Sequence, residues 1–171
     1  MKTQMTDPWS IAHENFEDDD GSLPGILISN LDAKAVRTIY DFFRSNGTIE
    51  TRNPTIHVKS KDADIPLEEV EDAAQLVING DAYGFHYCFA GIQHASQELP
   101  TLGLFVCSDS VEIDYRMGSH WNPSNVNALF SLLASLRALC PSCTIGSATT
   151  EGLPYPESFS RALEAVTRHS N

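Results

Sequence analysis

Three strand-length runs, crowded between Gly84 and Arg116, limit the folds open to this chain more than any other feature. They are Gly84–His94, Leu102–Cys107 and Val111–Arg116, each rich in β-branched or aromatic residues and bounded by polar links. In the third run Val111, Ile113 and Tyr115 alternate with Glu112, Asp114 and Arg116. That is the period of a strand with one face in a core and the other in water. The link Ser108-Asp109-Ser110 is short enough for a tight hairpin between the second and third runs.

Helical patterns stand on either side of these strands. Val36, Ile39, Tyr40 and Phe43 fall at i, i+3, i+4 and i+7, an apolar stripe that Gly47 closes. Asn122-Pro123 opens the longest helix, with Val126, Leu129, Phe130, Leu133, Leu136 and Cys140 facing the core. Trp121 before that cap and Val126 after it have the spacing of a hydrophobic staple. Leu67–Ile78 also suits a helix, through Leu67, Val70, Ala74 and Val77, with Gly80 past its end. Glu157–His169 closes the chain as a helix with Phe159, Leu163 and Val166 inward. Short strands are expected at Gly25–Ser29, at Thr55–Lys59 with Ile56 and Val58 inward, and at Thr144–Gly146. The pattern predicts an α+β fold: a mainly antiparallel sheet of about 4–6 strands, with two or three helices packed on one face. Strict βαβ alternation is absent, as are G-x-G-x-x-G and G-K-[ST] phosphate loops, so the common nucleotide enzymes are excluded.

Residues 1–22 read as an acidic appendage or a short docking helix, and residues 23–171 as a single α+β domain. Asp7-Pro8 is a helix start, and Trp9, Ile11 and Phe16 supply a docking face. The triplet Asp18-Asp19-Asp20 lacks the alternation of oxygen ligands that a calcium loop needs. Charge narrows the partners. With 23 Asp and Glu against 11 Lys and Arg, the net charge is −12. Such a surface repels nucleic-acid phosphates and anionic membranes, and favours a basic protein. No signal-peptide or membrane-spanning run is visible in the sequence, so a cytoplasmic location with reduced cysteines is expected.

The stretch DSVEIDYRMGSHWNPSN, Asp109–Asn125, holds the densest chemistry. Glu112 and Asp114 share a strand face roughly 7 Å apart, too near on one strand for the paired carboxylates of a glycosidase. Arg116 is expected to form a modest surface ion pair with Asp114. His120, on an exposed link, is the first choice for acid–base work. Cys140-Pro-Ser-Cys143 has redox spacing but sits at a helix C-terminus, where the dipole disfavours a thiolate. Two small buried hydrophobes are expected there. His86 and Cys88 share a strand face, but His94 lies ~26 Å further along an unbent strand, too far for one metal site. The six histidines, His13, His57, His86, His94, His120 and His169, form no sequence cluster. The run Asp62–Asp72 carries six acids and no base.

The expected function is a small acidic cytoplasmic protein-binding module, such as an inhibitor or immunity-type protein that neutralises a basic enzyme or toxin. Its binding residues would be Glu112, Asp114, Arg116 and His120, with Glu68, Glu69 and Asp72 steering the approach. No cofactor and no metal are expected, and self-association is compatible with the same face. The alternatives are a small enzyme built from His57, His86, Glu112, Asp114 and Arg116 on an open sheet face, or a structural subunit of an assembly.

Overall fold

The computed structural model describes residues 7–169, so residues 1–6 of the expected appendage and residues 170–171 of the expected domain lie outside it. In chain order the elements are α1 (Pro8–Ala12), β1 (Gly25–Ser29), α2 (Ala33–Asn46), β2 (Thr48–Ile49), β3 (Thr55–Val58), β4 (Ala63–Pro66), α3 (Ala73–Ile78), β5 (Phe85–Ala90), β6 (Gln93–His94), β7 (Gln97–Glu98), β8 (Leu102–Val106), β9 (Val111–Tyr115), α4 (Pro123–Leu139), β10 (Thr144–Ser147) and α5 (Pro156–His169). Single 3-10 turns follow α1 and β4. The fold is α+β. Its main sheet has six strands in the order β10-β1-β9-β8-β5-β2, every neighbouring pair antiparallel. Two small hairpins, β3–β4 and β6–β7, stand apart from it.

Alternation along the strands divides the main sheet into two faces. Ile26 and Ile28, Phe85, Tyr87 and Phe89, Leu102, Leu104 and Val106, and Val111, Ile113 and Tyr115 are all buried in one core cluster. The helical stripes reach the same cluster through Val36, Ile39, Tyr40 and Phe43 of α2, the six expected residues of α4 and its C-cap, and Phe159 and Leu163 of α5. The helices start where short polar side chains can satisfy their free N–H groups. Asp32 accepts from Ala35 N, and Asn122 exchanges a reciprocal pair of bonds with Asn125. Of the N-terminal segment, α1 packs on α4 and α5. Phe16 is fully buried, its ring centroid 5.0 Å from that of Tyr115 and 4.9 Å from that of Trp121.

Two sequence expectations are corrected. Leu67–Ile78 is not one helix: a 3-10 turn at Leu67–Glu69 ends in an extended Val70, and Asp72 caps a new helix by accepting from Gln75 N. The competing force is the strong preference of Asp for the cap position. The strand expected to reach His94 stops at Ala90, because Gly91 takes φ +70° and turns the chain into the β6–β7 hairpin. Gly47 ends α2 as expected, in an extended conformation; its place is set by close contact, since a Cβ there would stand 2.9 Å from Ile92 Cγ1. Among the described residues, no helix is long and apolar enough to cross a membrane.

Candidate functional site

The uncovered face of the six-stranded sheet holds a compact polar cluster. Glu112 and Asp114 point to it from β9, His86 and Cys88 from β5, and Phe105 from β8. The register places a glycine on each side of Asp114: Gly25 on β1 and Gly103 on β8. Both positions are occupied by neighbouring side chains. A Cβ on Gly103 would overlap both Asp114 carboxylate oxygens and His86 Nε2, and one on Gly25 would overlap Glu112 Oε1. The imidazole of His86 therefore reaches diagonally across Gly103, and its Nε2 donates to Asp114 Oδ2 at 2.6 Å. The Glu112 carboxylate lies over Gly25. Glycine inside a strand marks close approach by another group. Here it clears the floor on both sides of one aspartate.

Next to these three side chains stand two apolar ones, Leu27 and Phe105. Along one row of the register, Leu27, Glu112, Phe105 and His86 are successive cross-strand neighbours. Phe105 is 37% exposed, unusual for a ring in the middle of a six-stranded sheet. It leans toward Gly84, where a Cβ would stand 3.1 Å from its Cζ. Glu50 follows β2 and bonds Cys88 through the backbone, while Glu151 lies near enough to raise the Glu112 pKa through its charge.

The electrostatics follow from this crowding. The Asp114 hydrogen bond raises the His86 pKa against the opposing effect of burial, with the charges of Asp114 and Glu112 adding to it. Glu112 is also raised, first by burial and then by the charge of Asp114, with His86 acting the other way. The thiol of Cys88 is pushed up by burial and then by Asp114, which disfavours the thiolate that a nucleophile or metal ligand needs. Chemically, the cluster can exchange a proton at His86 and attract a cation. Two carboxylates stand side by side and one imidazole serves them, while Glu112 has no ion-pair partner among the described residues.

The other sequence candidates go elsewhere. Arg116 does not pair with Asp114; its Nε donates to Asp19 Oδ2 at 2.9 Å, a bond that holds the Asp19 carboxyl below its usual range. Asp114 is instead taken by His86, whose side chain crosses the vacancy at Gly103. His120 is exposed and bonded through Nε2 to the Arg116 carbonyl at 2.8 Å, while its own carbonyl accepts from Asn125 Nδ2. It belongs to the junction that starts α4, as does Trp121, whose Nε1 donates to Arg116 O at 2.7 Å. His57 sits in the separate β3–β4 hairpin, 2.9 Å from Asp64 and 3.6 Å from Asp62. Of the five residues in the enzyme alternative, only His86, Glu112 and Asp114 come together.

The acidic run is partly committed to structure. Asp72 caps α3 and pairs with Arg37. Glu68 and Glu69 are exposed on the 3-10 turn, and Glu68 lines a hollow of about 400 Å³ with Arg37, Tyr40 and Arg44. His94 turns to Ser131 of α4 at 3.2 Å and does not join His86 and Cys88. Cys140 and Cys143 are buried free thiols, and burial raises the Cys143 pKa. Among the described residues, no group of three or more His, Cys, Asp or Glu side chains is placed to hold a metal ion.

Sequence reasoning missed Gly25, Gly103 and Phe105 as parts of the site. The available signal was an isolated glycine within an otherwise apolar strand, Leu102-Gly103-Leu104. No family model, curated protein or solved structure matches this chain.

Proposed function

We propose that this chain is a protein-binding module whose open sheet face docks a basic protein surface. One observation carries the reading: an exposed aromatic, Phe105, stands beside two carboxylates, Glu112 and Asp114, that share one titratable imidazole, His86, among the described residues. Aromatic anchors in a partly apolar patch are the usual energetic centre of an interface. Unneutralised carboxylates select the sign of the partner, and Glu50 and Glu151 extend the negative field on either side. The net charge of −12 acts over a longer range, steering a cationic partner toward the molecule. In its finer form, the reading is an inhibitor or immunity-type protein working in the cytoplasm, where its four cysteines stay reduced.

The test is comparative capture. Tagged parent protein, a Phe105→Ala/Glu112→Lys double variant and a Glu157→Gln/Glu164→Gln control, at two exposed acids of α5, are exposed to the same native extract. A single basic protein held by the parent and the control but lost from the double variant supports the reading. Equal retention by all three overturns it, because the face would then contribute nothing to recognition.

A further inference from the structure

We infer that docking on this face is proton-linked: His86 serves as the internal counter-ion of Asp114, and a basic side chain of the partner takes over that role as His86 gives up its proton. The inference rests on the docking reading above and adds its regulation.

The geometry makes the exchange specific. His86 and Asp114 meet at 2.6 Å over a glycine, and the two side chains occupy the room a Cβ there would take. The Asp114 side chain is 16% exposed and the His86 side chain 40% exposed. The carboxylate is thus largely withdrawn from water, while the imidazole keeps a route to solvent through which a proton can leave. The charged and titratable groups facing His86 are Asp114 and Glu112 from β9 and Cys88 on its own strand, with Glu50 beyond Cys88; Gly103 and Phe105 of β8 carry no charge. The two carboxylates that act on His86, Asp114 and Glu112, both favour the imidazolium.

That imidazolium is what a basic partner meets. Protonated, His86 neutralises Asp114 and repels an incoming guanidinium or ammonium group. Neutral, it leaves the charges of Asp114 and Glu112 open beside Phe105. Because the Asp114 bond pushes the His86 pKa upward, the change of charge moves toward neutral pH from an ordinary value of 6.5. If only the neutral form is fully competent, apparent affinity weakens about tenfold for each pH unit below the His86 pKa. Binding at or below that pKa must release a proton.

The probe is a six-arginine peptide, titrated into isotope-labelled protein at about pH 8 and about pH 6 while the amides of Gly103, Phe105, Glu112 and Asp114 are followed. The same titration is run on His86→Gln, which stays neutral and can still donate to Asp114, and on His57→Gln, which lies in the separate hairpin. Calorimetry in two buffers of different ionisation enthalpy counts the protons released. The expected result is several-fold weaker binding by the parent and by His57→Gln at the lower pH, with proton release. His86→Gln should bind with nearly equal affinity at both pH values and release none. If His86→Gln keeps the parental pH dependence, the proton linkage is overturned and docking stands. If no amide of this face responds at either pH, both the docking reading and the linkage fail.

Discussion

Along β9, Val111, Ile113 and Tyr115 are at most 1% exposed, whereas Glu112 and Asp114 emerge on the opposite side of the same five residues. The covered side owes its order to burial. Each of its residues excludes water against helical stripes, and any apolar neighbour of the right volume serves. The open side owes its order to register. Asp114 finds His86 only because β8 lies between their strands and carries glycine at the crossing point. Shifting β8 by one residue would put a leucine there. The helix side determines that the chain folds, and on the docking reading proposed above the open side determines what the folded chain recognises.

The largest effect should come from the covered side. Leu133 and Phe130 are fully buried in the middle of α4. Truncating either to Ala should cost roughly 2–5 kcal/mol, from lost transfer energy and the cavity left behind. Chemical denaturation measures this directly. An unchanged midpoint for Leu133→Ala would show that the core does not depend on this stripe, and the contrast between the two faces would collapse.

Gly103→Ala sharpens the contrast. The atoms nearest the added methyl are the ends of two side chains, Asp114 and His86, which can swing aside. Stability should therefore change by no more than about 1 kcal/mol, because a lost, partly exposed ion pair is offset by reduced freedom of the unfolded chain. The His86 pKa, however, should fall toward 6.5, since its main elevating cause is the Asp114 bond. Histidine titration by NMR separates the two responses. A large stability loss with an unmoved His86 pKa would mean that the glycine serves the backbone and not the cluster.

These two substitutions also mark how far the sequence could be read. The β9 alternation, the Asn122 cap and the stripes of α2, α4 and α5 were legible because each depends on residues within about two helical turns. Elements failed where a local preference interrupted a longer pattern, as when Asp72 capped a new helix inside Leu67–Ile78 and Gly91 turned β5 away. The site was half legible. Glu112 and Asp114 could be placed on an outward face, but the partner of Asp114 lies 28 residues away and that of Arg116 lies 97 residues away. Their pairing is a property of strand order, and alternation alone is silent on it.

A smaller effect concerns pH. His86 is raised above its unfolded value, so its contribution to stability is fully present below about pH 6.5 and is lost as pH rises through the folded-state pKa. The stability difference between the parent and His86→Gln should favour the parent at the acid end of this window and fade at the alkaline end. With the ring 40% exposed, solvent screening keeps the gain below about 1 kcal/mol. Thermal melts of both proteins across this range provide the check, and a difference that grows with pH would assign the wrong charge state to the pair.

The smallest effect has the opposite sign and bears most directly on why the open face is built as it is. Glu112 is raised above its unfolded value of 4.5 by burial and by the charge of Asp114. Its ionised form is thus a cost to the folded state at every pH above the folded-state pKa. The cost disappears as pH falls through that pKa, because folding then favours the proton it holds. Glu112→Gln removes the charge while keeping the shape over Gly25, so it should stabilise the protein near neutral pH by about 0.5 kcal/mol or less. The gain should vanish on acidification. His86 limits it from the other side, since an imidazolium lowers the Glu112 pKa and Glu112 in turn raises that of His86. The gain should therefore be larger in the His86→Gln background, where the imidazolium that lowers the Glu112 pKa is gone. A double-mutant cycle on denaturation midpoints reads this coupling. If Glu112→Gln destabilises the protein at neutral pH in both backgrounds, Glu112 stabilises the fold. If it stabilises, the carboxylate is carried at a cost to the fold that a bound cation would relieve.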